Sequence, residues 1–168
     1  MLVGLVALAG ALVATVRAPE RRTGFYAMRG HRVFDVGARS VDAVDVVLGD
    51  RRFAAERRDA RWSIDGRPAT AGTAAALDDL VSALAGLRAV DVFRADAGAG
   101  FGLVQPHGSI EVRTARGRRR LELGEITASG GAVYARRVGD PRLLQVGTGL
   151  LSSLERVFFE RDERPATP

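Results

Sequence analysis

Five arginines crowd one short stretch of this chain, Arg113, Arg116, Arg118, Arg119 and Arg120, and they are its best candidate for chemistry. Guanidinium groups gathered at a turn can hold phosphates or anionic lipid headgroups, each near-surface Arg contributing about 1 kcal/mol beside acidic lipid. No aromatic residues interleave with them to stack bases, so nucleic acid is the disfavoured anion. An ordinary solvated hairpin face is the competing and heavier reading.

Other constellations carry less. His31 and His107 are the two histidines, and neither has a His or Cys partner at ligand spacing. Ser129 lies in Ala128-Ser129-Gly130-Gly131, where Thr127 stands in place of the first glycine of a nucleophile elbow. Gly98, Gly100 and Gly102 imitate half of a dinucleotide fingerprint, but Leu103 occupies the third glycine's place. Asp42 with Asp45, and Asp78 with Asp79, are carboxylate pairs of the kind a glycosidase or a hard metal uses, yet strand alternation splits the first and helical spacing turns the second to water. The expectation is a chain without catalytic residues, cofactor or metal, an unrecognised hydrolase being a small residual.

The elements that must position these residues follow from periodicity. Val44, Val46 and Leu48 alternate as a strand, Gly49-Asp50 turns, and Phe53 and Ala55 return; Trp62 and Ile64 share a face of a third strand that Asp65-Gly66-Arg67-Pro68 stops. Thr70 or Thr73 caps a helix whose Leu77, Leu80, Val81, Leu84 and Leu87 keep an amphipathic stripe. Val90 and Val92 suggest another strand, and residues 95–102 a Gly-rich loop. A second hairpin alternates Ile110, Val112 and Thr114, turns at Ala115-Arg116-Gly117, and returns with Leu121 and Leu123 on one face and Arg118, Arg120 and Glu122 on the other. Residues 133–138 and 143–146 pair around Gly139-Asp140-Pro141; Thr148 caps a last helix carrying Leu150, Leu151, Leu154, Val157 and Phe158, and its charged end from Glu160 frays. No internal repeat emerges beyond two loosely similar hairpins. The fold class is α+β, an antiparallel sheet of hairpins packed with two helices.

Composition narrows the rest. The chain has 168 residues, and all 25 of its basic side chains are Arg, with no Lys, Asn or Cys. A GC-rich genome explains that bias, and the net charge of +5, as well as nucleic-acid binding does. From Met1 to Val16 no side chain is ionised. A helix of that run rises about 24 Å against the roughly 30 Å of a hydrocarbon core, and it reads as an N-terminal transmembrane anchor in contact with membrane lipid. A cleaved signal peptide is the rival, disfavoured by Pro19 and by the missing basic n-region. Arg17, Arg21, Arg22, Arg29 and Arg32 follow, which by the positive-inside rule alone would keep them cytoplasmic.

Trp62 after a basic hairpin, Pro68 before the first helix, the block Phe101-Gly102-Leu103-Val104-Gln105-Pro106, the strand end Leu121-Glu122-Leu123-Gly124, and Ala132-Val133-Tyr134-Ala135-Arg136 before Leu144-Gln145-Val146 resemble the bacterial family called domain of unknown function 4340. Each motif is weak alone; their order and spacing are specific. The resemblance implies one N-terminal membrane helix, an extracytoplasmic domain, and, for some members, association with ABC transporter systems of the gliding-motility type. It implies no catalytic residue, and the basic residues usual before the anchor are missing here. The expected organisation is an anchor at 1–18, a juxtamembrane linker at 19–34, an α+β domain at 35–161 and a flexible tail at 162–168. The expected function is that of a single-pass, non-enzymatic accessory or interaction domain with a protein partner, the alternative being an anionic-ligand module built on the Arg hairpin. Phe101 and Leu103 are expected to form a clasp against Trp62 and the Leu77 to Leu87 stripe, with Pro106 setting the entry of the second hairpin.

Overall fold

The computed structural model describes residues 30–94 and 100–163, so the expected anchor at 1–18 and most of the expected tail lie outside the described residues. Among the described residues no helix is long and apolar enough to cross a membrane.

Alternation along β1 (Val41–Leu48) buries Val44 and Val46 and leaves Asp45 and Val47 exposed. Gly49, at φ 62°, supplies the positive dihedral of the turn into β2 (Arg51–Arg58). The next reversal uses Asp59 and Ala60, both at positive φ, to enter β3 (Arg61–Ile64), which is followed by the two-residue β4 (Arg67–Pro68). Thr70 then caps α1 (Ala71–Gly86), its hydroxyl accepting from the Thr73 amide at 3.2 Å. A strand β5 (Ala89–Phe93) precedes the meander β6 (Gly108–Thr114), β7 (Gly117–Ile126), β8 (Ala132–Arg137) and β9 (Leu143–Gly147), and α2 (Gly149–Asp162) closes the chain.

All nine strands form one antiparallel sheet in the order β4-β3-β2-β1-β6-β7-β8-β9-β5. Four strands and a helix occur twice in succession, β1 to β4 with α1 and β6 to β9 with α2, and the two sets meet where β1 pairs with β6 at the centre. The sequence shows no such repeat, because the two sets share an order of elements and not a residue pattern. α1 and α2 pack on each other and on one face of the sheet, where Leu77, Leu80, Leu84, Leu154, Val157 and Phe158 join Val44, Ile110, Leu121 and Val146 in a single core. Burying a side chain of this size contributes roughly 1.5–3 kcal/mol, and this face supplies most of the fold's apolar burial.

Several expectations are corrected. Val33 and Phe34, read as the end of the linker, are core residues, and residues 30–33 pair with residues 87–89, where α1 passes into β5, through Gly30 N to Ala89 O and Val33 N to Leu87 O, both 2.9 Å. Two buried apolar side chains place these residues in the domain, not in a linker. The strand expected at Val90 and Val92 forms as β5, where an irregularity between Ala89 and Asp91 shifts the register and leaves Val90 exposed while Val92 is buried. The Thr148 side chain makes no cap bond; its backbone carbonyl receives the amides of Leu151 and Ser152 instead. α2 stays helical through Asp162, beyond the expected fraying point at Glu160.

Candidate functional site: the helix-free sheet face

Strand alternation sends a second set of side chains to the face that no helix covers. Across β2, β1, β6 and β7 the register places Glu56 opposite Ala43, Ala43 opposite Arg113, and Arg113 opposite Arg118. One step along, Asp45 lies opposite Glu111 and Glu111 opposite Arg120; another step on, Val47, Ser109, Glu122 and Arg136 form the next row. Oppositely charged neighbours find each other across these rows. Arg113 donates to Glu56 at 2.8 Å, Arg118 lies 3.5 Å from Glu111, and Arg136 gives two bonds to one Glu122 oxygen, at 2.7 and 3.0 Å. The Arg113 to Glu56 bridge crosses Ala43, which it helps to bury on the face opposite the core.

One group lacks a matching cation of its own. Partial withdrawal from water between its neighbours, then the Glu111 charge opposite, raises the Asp45 carboxyl above its ordinary value, and Arg113 offsets only part of this. Glu56 shifts the other way, because the hydrogen bond from Arg113 favours its ionised form.

The other part of this face carries a loop. Phe101 meets Tyr134 at 4.6 Å and Phe93 at 5.6 Å between ring centroids, and Phe93 also meets Tyr134 edge-on at 6.2 Å. Beneath the rings two backbones touch. A Cβ on Gly124 would stand 2.1 Å from the Phe101 carbonyl oxygen, and one on Gly102 would stand 2.7 Å from the Glu125 nitrogen. Gly102 also has φ +67°. The contact is fastened by the Glu125 amide donating to the Phe101 carbonyl at 2.9 Å and by Arg136 donating to the Leu103 carbonyl at 3.2 Å. It falls where the β7–β8 register slips between Leu123 and Ile126, which frees the Glu125 amide from the ladder.

A clasp therefore exists, but on the opposite side of the sheet from the one expected. Phe101 does not insert against Trp62 or the α1 stripe; strand alternation gives the helix side to Val133 and Ala135 and turns Tyr134, its partner, the other way. Leu103 is buried yet stands outside the main core, and Pro106 is exposed just ahead of β6. Trp62 belongs to the helix side, where its indole N–H donates to Asp78 at 2.8 Å, so Asp78 has a partner beyond water. Of the twelve-residue set singled out in the sequence, Phe101, Gly102, Leu103, Gly124 and Tyr134 converge at the clasp, together with Phe93 and Arg136, which spacing alone did not pick out as site residues.

The five arginines divide. Arg113 and Arg118 are engaged by carboxylates on the helix-free face, Arg120 shares that face, Arg116 occupies the turn, and Arg119 alternates to the other side, donating to the Arg118 carbonyl at 2.9 Å. His31 and His107 are exposed, and the Ser129 hydroxyl pairs with that of Thr127 at 3.1 Å inside the β7–β8 connection. Among the described residues no group of three or more His, Asp or Glu could hold a metal ion. What the face offers chemically is an array of fixed charges of both signs beside an aromatic patch.

No curated protein and no solved structure matches the chain. The family model described as Domain of unknown function (DUF4340) matches residues 62–162, from β3 through α2, a stretch that holds every residue of the clasp; the chain belongs to that family.

Proposed function

We propose that this chain is a membrane-tethered domain without catalytic activity, held outside the cytoplasm, that meets a protein partner through the helix-free face, a transporter component being the partner the family resemblance favours. The observation that carries this reading is the cross-strand array Glu56, Arg113, Asp45, Glu111, Arg118, Glu122 and Arg136, ordered by the sheet and open to solvent on one side. Pre-set charges of both signs favour a complementary surface and oppose a wrong one, which suits specificity more than raw affinity. The apolar run at the N-terminus supports the tether.

The test uses the full chain in its native membranes. It resists a carbonate wash, and a photoreactive cross-linker at Val47, exposed on the helix-free face, captures a transporter subunit, while the same group at Phe159, exposed on α2, does not. Val47→Arg removes the cross-link without lowering the melting temperature. Release of intact protein by carbonate overturns the tether, and equal capture from both faces overturns the surface.

A further inference from the structure

The sheet gathers basic residues that the sequence keeps far apart. Because Ala43 pairs with Glu56 on one side and with Arg113 on the other, the β2–β3 turn at Asp59 and Ala60 and the β6–β7 turn at Ala115 and Arg116 project from the same end of the sheet. The two turns are three strand spacings apart, roughly 14 Å. The β8–β9 turn joins them, its Val138 amide donating to the Arg120 carbonyl at 3.0 Å. This end carries Arg58, Arg61, Arg116, Arg119 and Arg120 in exposed positions, and among the described residues all of these except Arg58 lie outside any ion pair. Arg58 reaches Glu56 at 3.1 Å with a side chain still 85% exposed. The opposite end is more evenly charged: Arg51 is held by Glu155 at 2.7 Å, Arg161 lies 3.6 Å from Asp65, and the exposed Arg52 and Arg67 stand with the exposed carboxylates of Asp50 and Glu125, whereas at the arginine-rich end the exposed carboxylates of Asp42 and Asp59 leave an excess of positive charge.

We propose that the end of the sheet bearing the β2–β3 and β6–β7 turns rests on an anionic lipid bilayer. Anionic headgroups match a row of exposed guanidiniums distributed along one edge, each contributing about a five-fold gain in binding near an acidic surface. The inference rests on the tether reading above. Between Val16 and Gly30 the chain spans at most about 3.5 Å per residue, roughly 50 Å, so the tether lets either end approach the bilayer and charge selects which one does. Standing on its turns, the sheet is upright, and its helix-free face stays clear of the bilayer and open to a partner.

The chain has no cysteine, so single labels are unambiguous. Full-length Ala115→Cys, Ala60→Cys and Asp50→Cys, each carrying an environment-sensitive fluorophore, are reconstituted in lipid nanodiscs of phosphatidylcholine with or without phosphatidylglycerol, doped with a headgroup-proximal spin label. The labels at positions 115 and 60 are quenched in anionic discs and released by salt, whereas the label at 50 is not quenched. Joint replacement of Arg58, Arg61, Arg116 and Arg119 by Gln abolishes the quenching and weakens binding to preformed anionic vesicles on the order of several hundredfold. Equal quenching at 115 and 50, or quenching indifferent to phosphatidylglycerol, overturns the proposal. A response of position 115 to polyphosphate or an oligonucleotide, with none to anionic discs, also overturns it and assigns the basic end to a soluble polyanion. Failure to insert into discs counts against the tether alone, and vesicle flotation of the same labelled chains then decides the lipid surface.

Discussion

On the helix side of the sheet, Phe158 of α2 is fully buried and packs edge-on against Phe53 at 5.1 Å, with the Arg51 guanidinium 4.1 Å from its ring; on the other side, Phe101 remains partly exposed and is held from a loop by Phe93 and Tyr134. The first ring is fixed by the volume of a shared core. The second is fixed by two backbones that approach closely because Gly102 and Gly124 carry no side chains. Area burial is spread over many residues and tolerates small changes, whereas a backbone contact depends on two positions and tolerates no added atom there.

Truncation of the two phenylalanines separates these cases. Phe158→Ala is expected to cost about 3–5 kcal/mol, a large share of a domain's stability, because it empties a site where α2 meets β2. Phe101→Ala, on the partly exposed side, is expected to cost less than half as much. Thermal or denaturant unfolding of the two variants measures the difference, and equal losses would show that the loop side is as deeply committed to the core as the helix side.

Gly124→Ala probes the backbone contact directly. A methyl group would meet the Phe101 carbonyl oxygen, which cannot swing away as a side chain would. The expected result is a loss of about 1–3 kcal/mol, with the loop detached while the helix side stays folded. Hydrogen exchange reads this locally: protection of the Glu125 amide, which donates to Phe101, should fall while that of the Leu121 and Leu144 amides is retained. Uniform loss of protection would mean that the loop is not separable from the sheet.

The smallest effect sharpens the charged region. Asp45 sits opposite Glu111, and its carboxyl is raised, so the folded chain holds that proton more tightly than the unfolded one, whose value is near 3.8. Between that value and the raised one, stability attributable to Asp45 falls as pH rises, the sense required when the native state binds the extra proton. Asp45→Asn is therefore expected to stabilise the domain by about 0.2–1 kcal/mol at neutral pH, as for relieving like charges opposite each other on neighbouring strands. The gain should shrink to nothing as the pH is lowered through this window. Paired denaturant titrations across acidic and neutral pH check it, and a destabilised Asn variant would mean that Asp45 has a cationic partner stronger than Arg113.

Much of the helix side was readable in the chain. Leu77, Leu80, Val81 and Leu84 bury as their spacing requires, and Leu121 and Leu123 share a buried face because a strand has period two. The same rule correctly turned Arg118, Arg120 and Glu122 to the opposite face. The clasp was half legible: its residues stood out as motifs, but they were assigned to Trp62 because apolar type says that a side chain is buried and not on which side of a sheet. That side depends on the parity of Tyr134 within β8 and on the register slip in β7, and neither can be read before the strands are paired.

Local periodicity by itself determined the longer strands, the two helices and most of the alternation of their faces, since those depend on near neighbours in the chain. Strand order was decided only in three dimensions. Pairing β1 with β6 brings Glu56 to Arg113 across 57 positions of sequence and puts the arginine-rich turns at one end, and the register slip between β7 and β8 receives Phe101 against Gly124. Such contacts are set by which strands the crossover through α1 and β5 leaves adjacent, a property of the whole chain's packing that no window of sequence contains.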